Sequence, residues 1–154
     1  MDWDAIFGIT NVVALIGHVV LAAWSRTPRT LSTILYLGIG LLCLTYAILF
    51  ALLVGGVVDP GRVAGAVKPD PLDYSIAGLR SLFMSDAGIV IGWTHYLAFD
   101  LFVARWIAID ADAKGVGRAT QLPFLFFTFM AGPVGLLSWL VCRGAPWLNR
   151  QSGK

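Results

Sequence analysis

Charge is scarce in this chain: only 13% of its 154 residues are charged, while 58% are hydrophobic and the mean hydropathy is +0.78. A soluble domain of this length cannot hide so much apolar surface inside itself, so a bilayer is the expected solvent. The net charge is +2 and the basic residues are scattered without a run, which argues against nucleic acid as a partner. There are two cysteines, Cys43 and Cys142, in separate apolar runs with no C-x-x-C; they read as small packing residues and leave the redox compartment open. No P-loop, dinucleotide fingerprint, nucleophile elbow or haem motif occurs, so no redox cofactor has a visible seat and none is expected. The alternating pattern of a spanning β-barrel is missing as well. Met1-Asp2-Trp3-Asp4 lacks the basic region of a signal peptide, and no small-residue cleavage site follows the first apolar run, so that run is expected to be retained.

What the chain does have is long uncharged runs. Residues 5–25 carry no formal charge, enough at 1.5 Å per residue to cross a hydrocarbon core of roughly 30 Å. A polar turn with Pro28 comes next, then a second span over about 31–56. The composition changes over 59–86, a long loop with Pro60, Pro69 and Pro71. Its second half spaces Ile76, Leu79, Leu82 and Phe83 as a short interfacial helix would, with Ser85 or Asp86 placed to cap the next helix. A third span covers about 87–109 and a fourth about 121–142, the last with Pro123 near its start and a kink expected at Gly132-Pro133-Val134-Gly135. The expected fold is therefore all-α: a single domain over 1–154, an integral membrane bundle of four transmembrane helices with one interfacial helix in the middle loop.

With four crossings, both termini and the long loop share one face and hold six Lys/Arg, against four in the other two loops; this bias slightly favours both termini in the cytoplasm. Trp3, Trp24, Trp139 and Trp147 fall near span ends, as an aromatic belt requires. Gly88-x-x-x-Gly92 offers a close packing face that permits a homodimer.

The third span is the anomaly, because it holds His95, Asp100 and Arg105. An ionisable side chain at bilayer depth costs several kcal/mol on insertion scales, so each asks for a reason. Five residues on a helix amount to about 500°, which points Asp100 about 140° from His95 and Arg105 about 140° from Asp100. They form no single stripe. Trp93, Tyr96, Asp100 and Val103 do share a face, setting a carboxylate beside two aromatic rings, a wall for a long apolar ligand; packing alone also accounts for the three apolar members. Asn11 and His18, seven apart, give the first span a polar stripe facing the bundle. Trp93, Tyr96, Asn11 and His18 are thus the candidate substrate-binding set, and His95, Asp100 and Arg105 the candidate catalytic set. A metal held by His18, His95 and Asp100 has no supporting H-x-x-H or E-x-x-H spacing, and none is assigned.

The string Trp93-Thr94-His95, then Asp100-Leu101-Phe102, then Ala104-Arg105, with Asp110 after it, resembles the signature of the abscisic-acid-deficient-four-like family. Gly132-Pro133-Val134-Gly135 is similar to that family's P-V-G kink, and the four-span layout agrees over nearly the whole chain. His18 lies outside the pattern. The resemblance implies a membrane protein that acts on or binds carotenoids or other isoprenoids, as in the conversion of violaxanthin to neoxanthin, an isomerisation needing an acid and a base but no redox cofactor. It further implies Asp100 as proton acceptor, His95 as an acid or hydroxyl-binding group and Arg105 as the partner that keeps Asp100 ionised. Because the chain starts directly at its first span, a bacterial member in an inner membrane is expected. Two readings are open: an isomerase, or a non-catalytic carotenoid-binding or assembly protein in which the same residues form a structural network. The expected partners are membrane lipids and the isoprenoid ligand.

Overall fold

The computed structural model describes residues 1–62, 65 and 72–145; Pro69, Pro71 and Trp147, with Lys68, Arg150 and Lys154, lie outside them. The described residues are helical apart from turns and a single antiparallel bridge between Arg62 and Ser85. Helix α1 runs Trp3–Ala23, started by Asp2, whose carboxylate accepts from the Ala5 amide at 3.0 Å. Thr27 and Pro28 open α2 (Pro28–Thr33), which continues through a π-helical segment (Ile34–Gly40) into α3 (Leu41–Val54). Ser75 caps the short α4 (Ile76–Phe83), and Ser85, one of the two expected candidates, caps α5 (Asp86–Ala113). Two more helices follow among the described residues, α6 (Arg118–Met130) and α7 (Gly132–Cys142).

Among the described residues, three helices are long and apolar enough to cross a membrane: Trp3–Ala23, Pro28–Val54 and Asp86–Ala113. Their outward faces are apolar, with Ile9, Ile16, Leu37, Leu44 and Phe99 all exposed, as suits a surface turned to lipid. Helix α5 is the axis around which the others pack. Leu97, Leu101, Ala104, Ile107, Ala108 and Ala111 form its buried side, and Leu101 fits between Gly17 of α1 and Gly38 of the π segment. A Cβ at Gly17 would overlap both Leu101 methyl groups, and one at Gly38 would press on Leu101 Cδ2 at 3.1 Å, so the two glycines let these helices approach closely. Gly88 and Gly92, the pair that the sequence offers to another helix, are covered by α4: side chains there would meet Leu82 and Phe83.

Residues 121–142 depart from expectation. Instead of one kinked helix, they lie in two helices that run antiparallel. Phe124 packs edge-on against Trp139 with ring centroids 5.2 Å apart, and a Cβ on Gly135 would collide with the backbone of Thr128, so the two helices pair around a turn at Ala131 and Gly132. Ala131 is extended (φ −159, ψ 79), which ends α6, and Pro133, which has no amide proton to give, sits in the first turn of α7 where none is required. The far end of α7 returns to the end of α5: Trp139 Nε1 and the Arg143 guanidinium both donate to Asp110, at 3.0 Å and at 2.7–3.0 Å. Trp139 is therefore a fully buried core residue rather than part of an aromatic belt, whereas Trp24 is 67% exposed at a helix end.

Candidate functional site

The turn between α6 and α7 lies against the middle of α5, and Asp100 is there. Fourteen residues of α5 precede it and thirteen follow, so its depth was legible from sequence. Its side chain is buried, with 6% of the residue exposed. Gly132 abuts it so closely that any Cβ at that position would fall inside the carboxyl group. The Gly132 amide and the Tyr96 hydroxyl are the polar groups that face this carboxyl, and Oδ2 is buried without a hydrogen-bond partner. The amide belongs to the first turn of α7, where N–H groups have no partner within the helix, so the hairpin delivers a donor to the middle of α5.

Tyr96 links Asp100 to the rest of the face. Its oxygen accepts from the Gly132 N–H at 3.2 Å; its one proton can go to the Met130 carbonyl, 3.4 Å away, or to Asp100. The Tyr96 ring stacks on Trp93, centroids 5.3 Å apart, and Trp93 Nε1 donates to Asn11 Oδ1 at 3.0 Å. Four of the seven candidate residues thus form one run: Asn11, Trp93, Tyr96 and Asp100. Their spacing on α5 places three of them on one face, and α1 supplies the fourth.

The other three candidates point elsewhere, His95 and Arg105 as their angular separation from Asp100 on α5 predicts. His95 is exposed on the side of α3 and α4, its ring tilted against Phe99 (4.6 Å) and Tyr46 (5.4 Å). It borders a separate cavity of about 260 Å³ with Phe50 and Phe83 in its walls and Asp73 at its rim. Outside the membrane helices, the Ser75 amide and hydroxyl hold the Asp73 carboxyl below the usual carboxylate range. Arg105 donates through Nε to the Leu31 carbonyl at 3.0 Å and does not reach Asp100; the role of counter-ion expected for it is not what it does here, because five helical residues turn it away. His18 is buried, Nδ1 at 2.9 Å from the Ala14 carbonyl, its ring edge-on to Phe129 of α6 at 5.0 Å, and its Nε2 without a partner. Among the described residues no group of three His, Cys, Asp or Glu side chains is placed to hold a metal ion.

Sequence reading missed two polar clusters at the far end of α5. One is Asp110 with Trp139 and Arg143. In the other, Arg26 donates to the Leu21 carbonyl (2.8 Å), to Asp112 (2.9 Å) and to Gln121, while Gln121 donates in turn to Asp112 and the Val116 carbonyl. Both join residues distant in sequence, and the one trace of them was the acidic Asp110 after the third span.

Compared with known families, residues 5–139 match a family model described as ABA DEFICIENT 4-like. No curated protein and no solved structure matches the chain.

Proposed function

Because the chain belongs to the ABA DEFICIENT 4-like family, we propose that it is a one-domain integral membrane protein of the neoxanthin-synthesis type that takes a carotenoid or related isoprenoid lipid at Asp100 and isomerises it. In such a reaction the C–O bond of an epoxide breaks, the oxygen gains a proton, and the adjacent polyene carbon loses one to give an allene, so atoms and electrons balance without a redox partner. Asp100 is the base that takes the carbon-bound proton. Tyr96, rather than His95, is the acid that protonates the oxygen, because its hydroxyl faces the same carboxyl group; transfer from Asp100 back to Tyr96 then restores both. Trp93 and Asn11 extend the wall along which the polyene lies. The observation that carries this reading is the buried, unpartnered Oδ2 of Asp100 at the hairpin turn.

The test is the pigment profile of a violaxanthin-producing host that expresses the wild type or Asp100→Asn at matched membrane levels. A new isomer formed by the wild type alone supports an isomerase. Pigment that stays unchanged yet co-purifies with the protein supports the second reading, a non-catalytic carrier or assembly protein. That reading draws on the separation of His95 and Arg105 from Asp100, since three groups on three sides of a helix stabilise a bundle more readily than they converge on one bond.

For the membrane arrangement we propose three crossings, by α1, by α2 to α3, and by α5, with α6 and α7 as a re-entrant hairpin. Charge supports it. Arg26, Arg29, Lys114, Arg118 and Arg143 then share one face with Asp110 and Asp112, whereas Arg62 and Arg80 share the other with Asp2, Asp4, Asp59, Asp73 and Asp86. Among the described residues, five basic side chains against two support the first face as the cytoplasmic one, with the N-terminus outside and the end of α7 inside, unlike the four-span expectation. In a Cys43→Ser, Cys142→Ser background, single Asp4→Cys and Gly144→Cys sites should react with an impermeant maleimide from opposite sides of the membrane. Labelling from the same side would restore four crossings.

A further inference from the structure

Away from the Asp100 face, a cavity of about 620 Å³ lies between α1 and the π segment, within the range of ligand-binding pockets. Gly17 and Gly38, both seated on Leu101, lie in its walls, and Ile16 and Leu37, which also line it, are 57% and 68% exposed, so it opens sideways toward lipid. Along α1 it extends from Val13 to the capping residue Trp24, eleven helical steps or roughly 16 Å. That is about half of a hydrocarbon core of roughly 30 Å, the depth of one leaflet. A polyene long enough to cross the membrane does not fit these dimensions, but one acyl chain does.

Polarity is confined to one end of this cleft, where Arg29, Thr30 and Thr33 line it. Arg29 makes no hydrogen bond or ion pair with any described residue, unlike Arg26, Arg105, Arg118 and Arg143, each of which is held by a carbonyl or a carboxylate. An arginine left free beside hydroxyl groups, at the mouth of an apolar slot and at the more basic end of the molecule, is complementary to a phosphate that carries a hydrocarbon tail. The wall that forms the slot is the π-helical turn, a distortion that often marks functional positions.

We propose that the cleft between α1 and the π segment is a binding site for one anionic glycerophospholipid, with an acyl chain along Ile16, Gly17 and Gly38 and the headgroup phosphate on Arg29. The site is independent of the Asp100 face and does not rest on the isomerase reading.

Native mass spectrometry of the full chain, released from nanodiscs of equimolar phosphatidylglycerol and phosphatidylcholine, tests it. The expected result is one retained phosphatidylglycerol per chain in preference to phosphatidylcholine, a preference reduced about fivefold by Arg29→Gln. Ile16→Trp, which fills the slot and leaves Arg29 in place, should abolish retention of either lipid. Arg29 is exposed and outside the core, so both variants are expected to fold, and size-exclusion profiles check this; Arg29→Lys, which keeps the charge, should retain most of the preference. Equal retention of both lipids by the wild type, or a preference untouched by Arg29→Gln and Ile16→Trp, overturns the proposal. Retention lost with Arg29→Gln but kept with Ile16→Trp overturns it too, since it would assign the lipid to a surface phosphate contact without the cleft.

Discussion

Two sides of α5 carry ionisable groups five residues apart, and they are built in opposite ways. On the Asp100 side the carboxyl group is enclosed, a neighbouring glycine touches it, and one of its oxygens has no partner. On the His95 side the imidazole is exposed, flanked by Tyr46 and Phe99, and open to a cavity. Burial turns the same kind of polar intrusion into two different things. An enclosed carboxyl group depends for polar partners on the few groups packed against it, the Gly132 amide and the Tyr96 hydroxyl, whereas an exposed ring rests on its aromatic neighbours.

Substitutions test this contrast directly. Asp100→Asn preserves shape and removes the base, so conversion of the isoprenoid should fall by about 10²–10⁴-fold, read as product per unit of membrane protein. Retained turnover would end the assignment of the base. Gly132→Ala comes next: it drives a methyl group into the Asp100 carboxyl and should lower stability by about 1–3 kcal/mol, visible as a lower thermal midpoint in detergent. A stability equal to wild type would mean that the hairpin turn does not pack on Asp100. Tyr96→Phe removes the hydroxyl that faces both Asp100 and Gly132 but keeps the ring on Trp93. Stability should drop by about 1 kcal/mol while conversion falls at least tenfold, and a loss confined to stability would make Tyr96 a positioning residue only. The smallest effect is expected of His95→Gln, less than about threefold in conversion, because that ring lies on another face. A loss as large as that of Asp100→Asn would erase the distinction between the two sides and restore His95 to the reaction.

Much of this was legible in the sequence because it depends on short-range periodicity. Uncharged runs marked α1 and the long second helix, and an apolar run broken by Asp100 and Arg105 marked α5; Ser85 was one of two readable caps; and the i, i+3, i+7 spacing of Trp93, Tyr96 and Asp100 placed them together. The same arithmetic warned that His95 and Arg105 point away. The π segment gave no comparable signal, since Ile34–Gly40 is as apolar as the helices on either side of it.

By itself, then, the sequence determined that the chain is helical and apolar enough for a membrane, and that one carboxylate sits at the middle of its central helix, because composition and helical spacing are properties of neighbouring residues. Only the tertiary structure decided that the last apolar run doubles back, that Gly132 meets Asp100, and that Arg105 goes to Leu31. A continuous kinked helix and a hairpin share the same hydrophobic run and the same Gly-Pro break. They are told apart by contacts between distant residues, Phe124 with Trp139, Thr128 with Gly135 and Asp110 with Arg143, and these depend on which side chains fill the space beside α5.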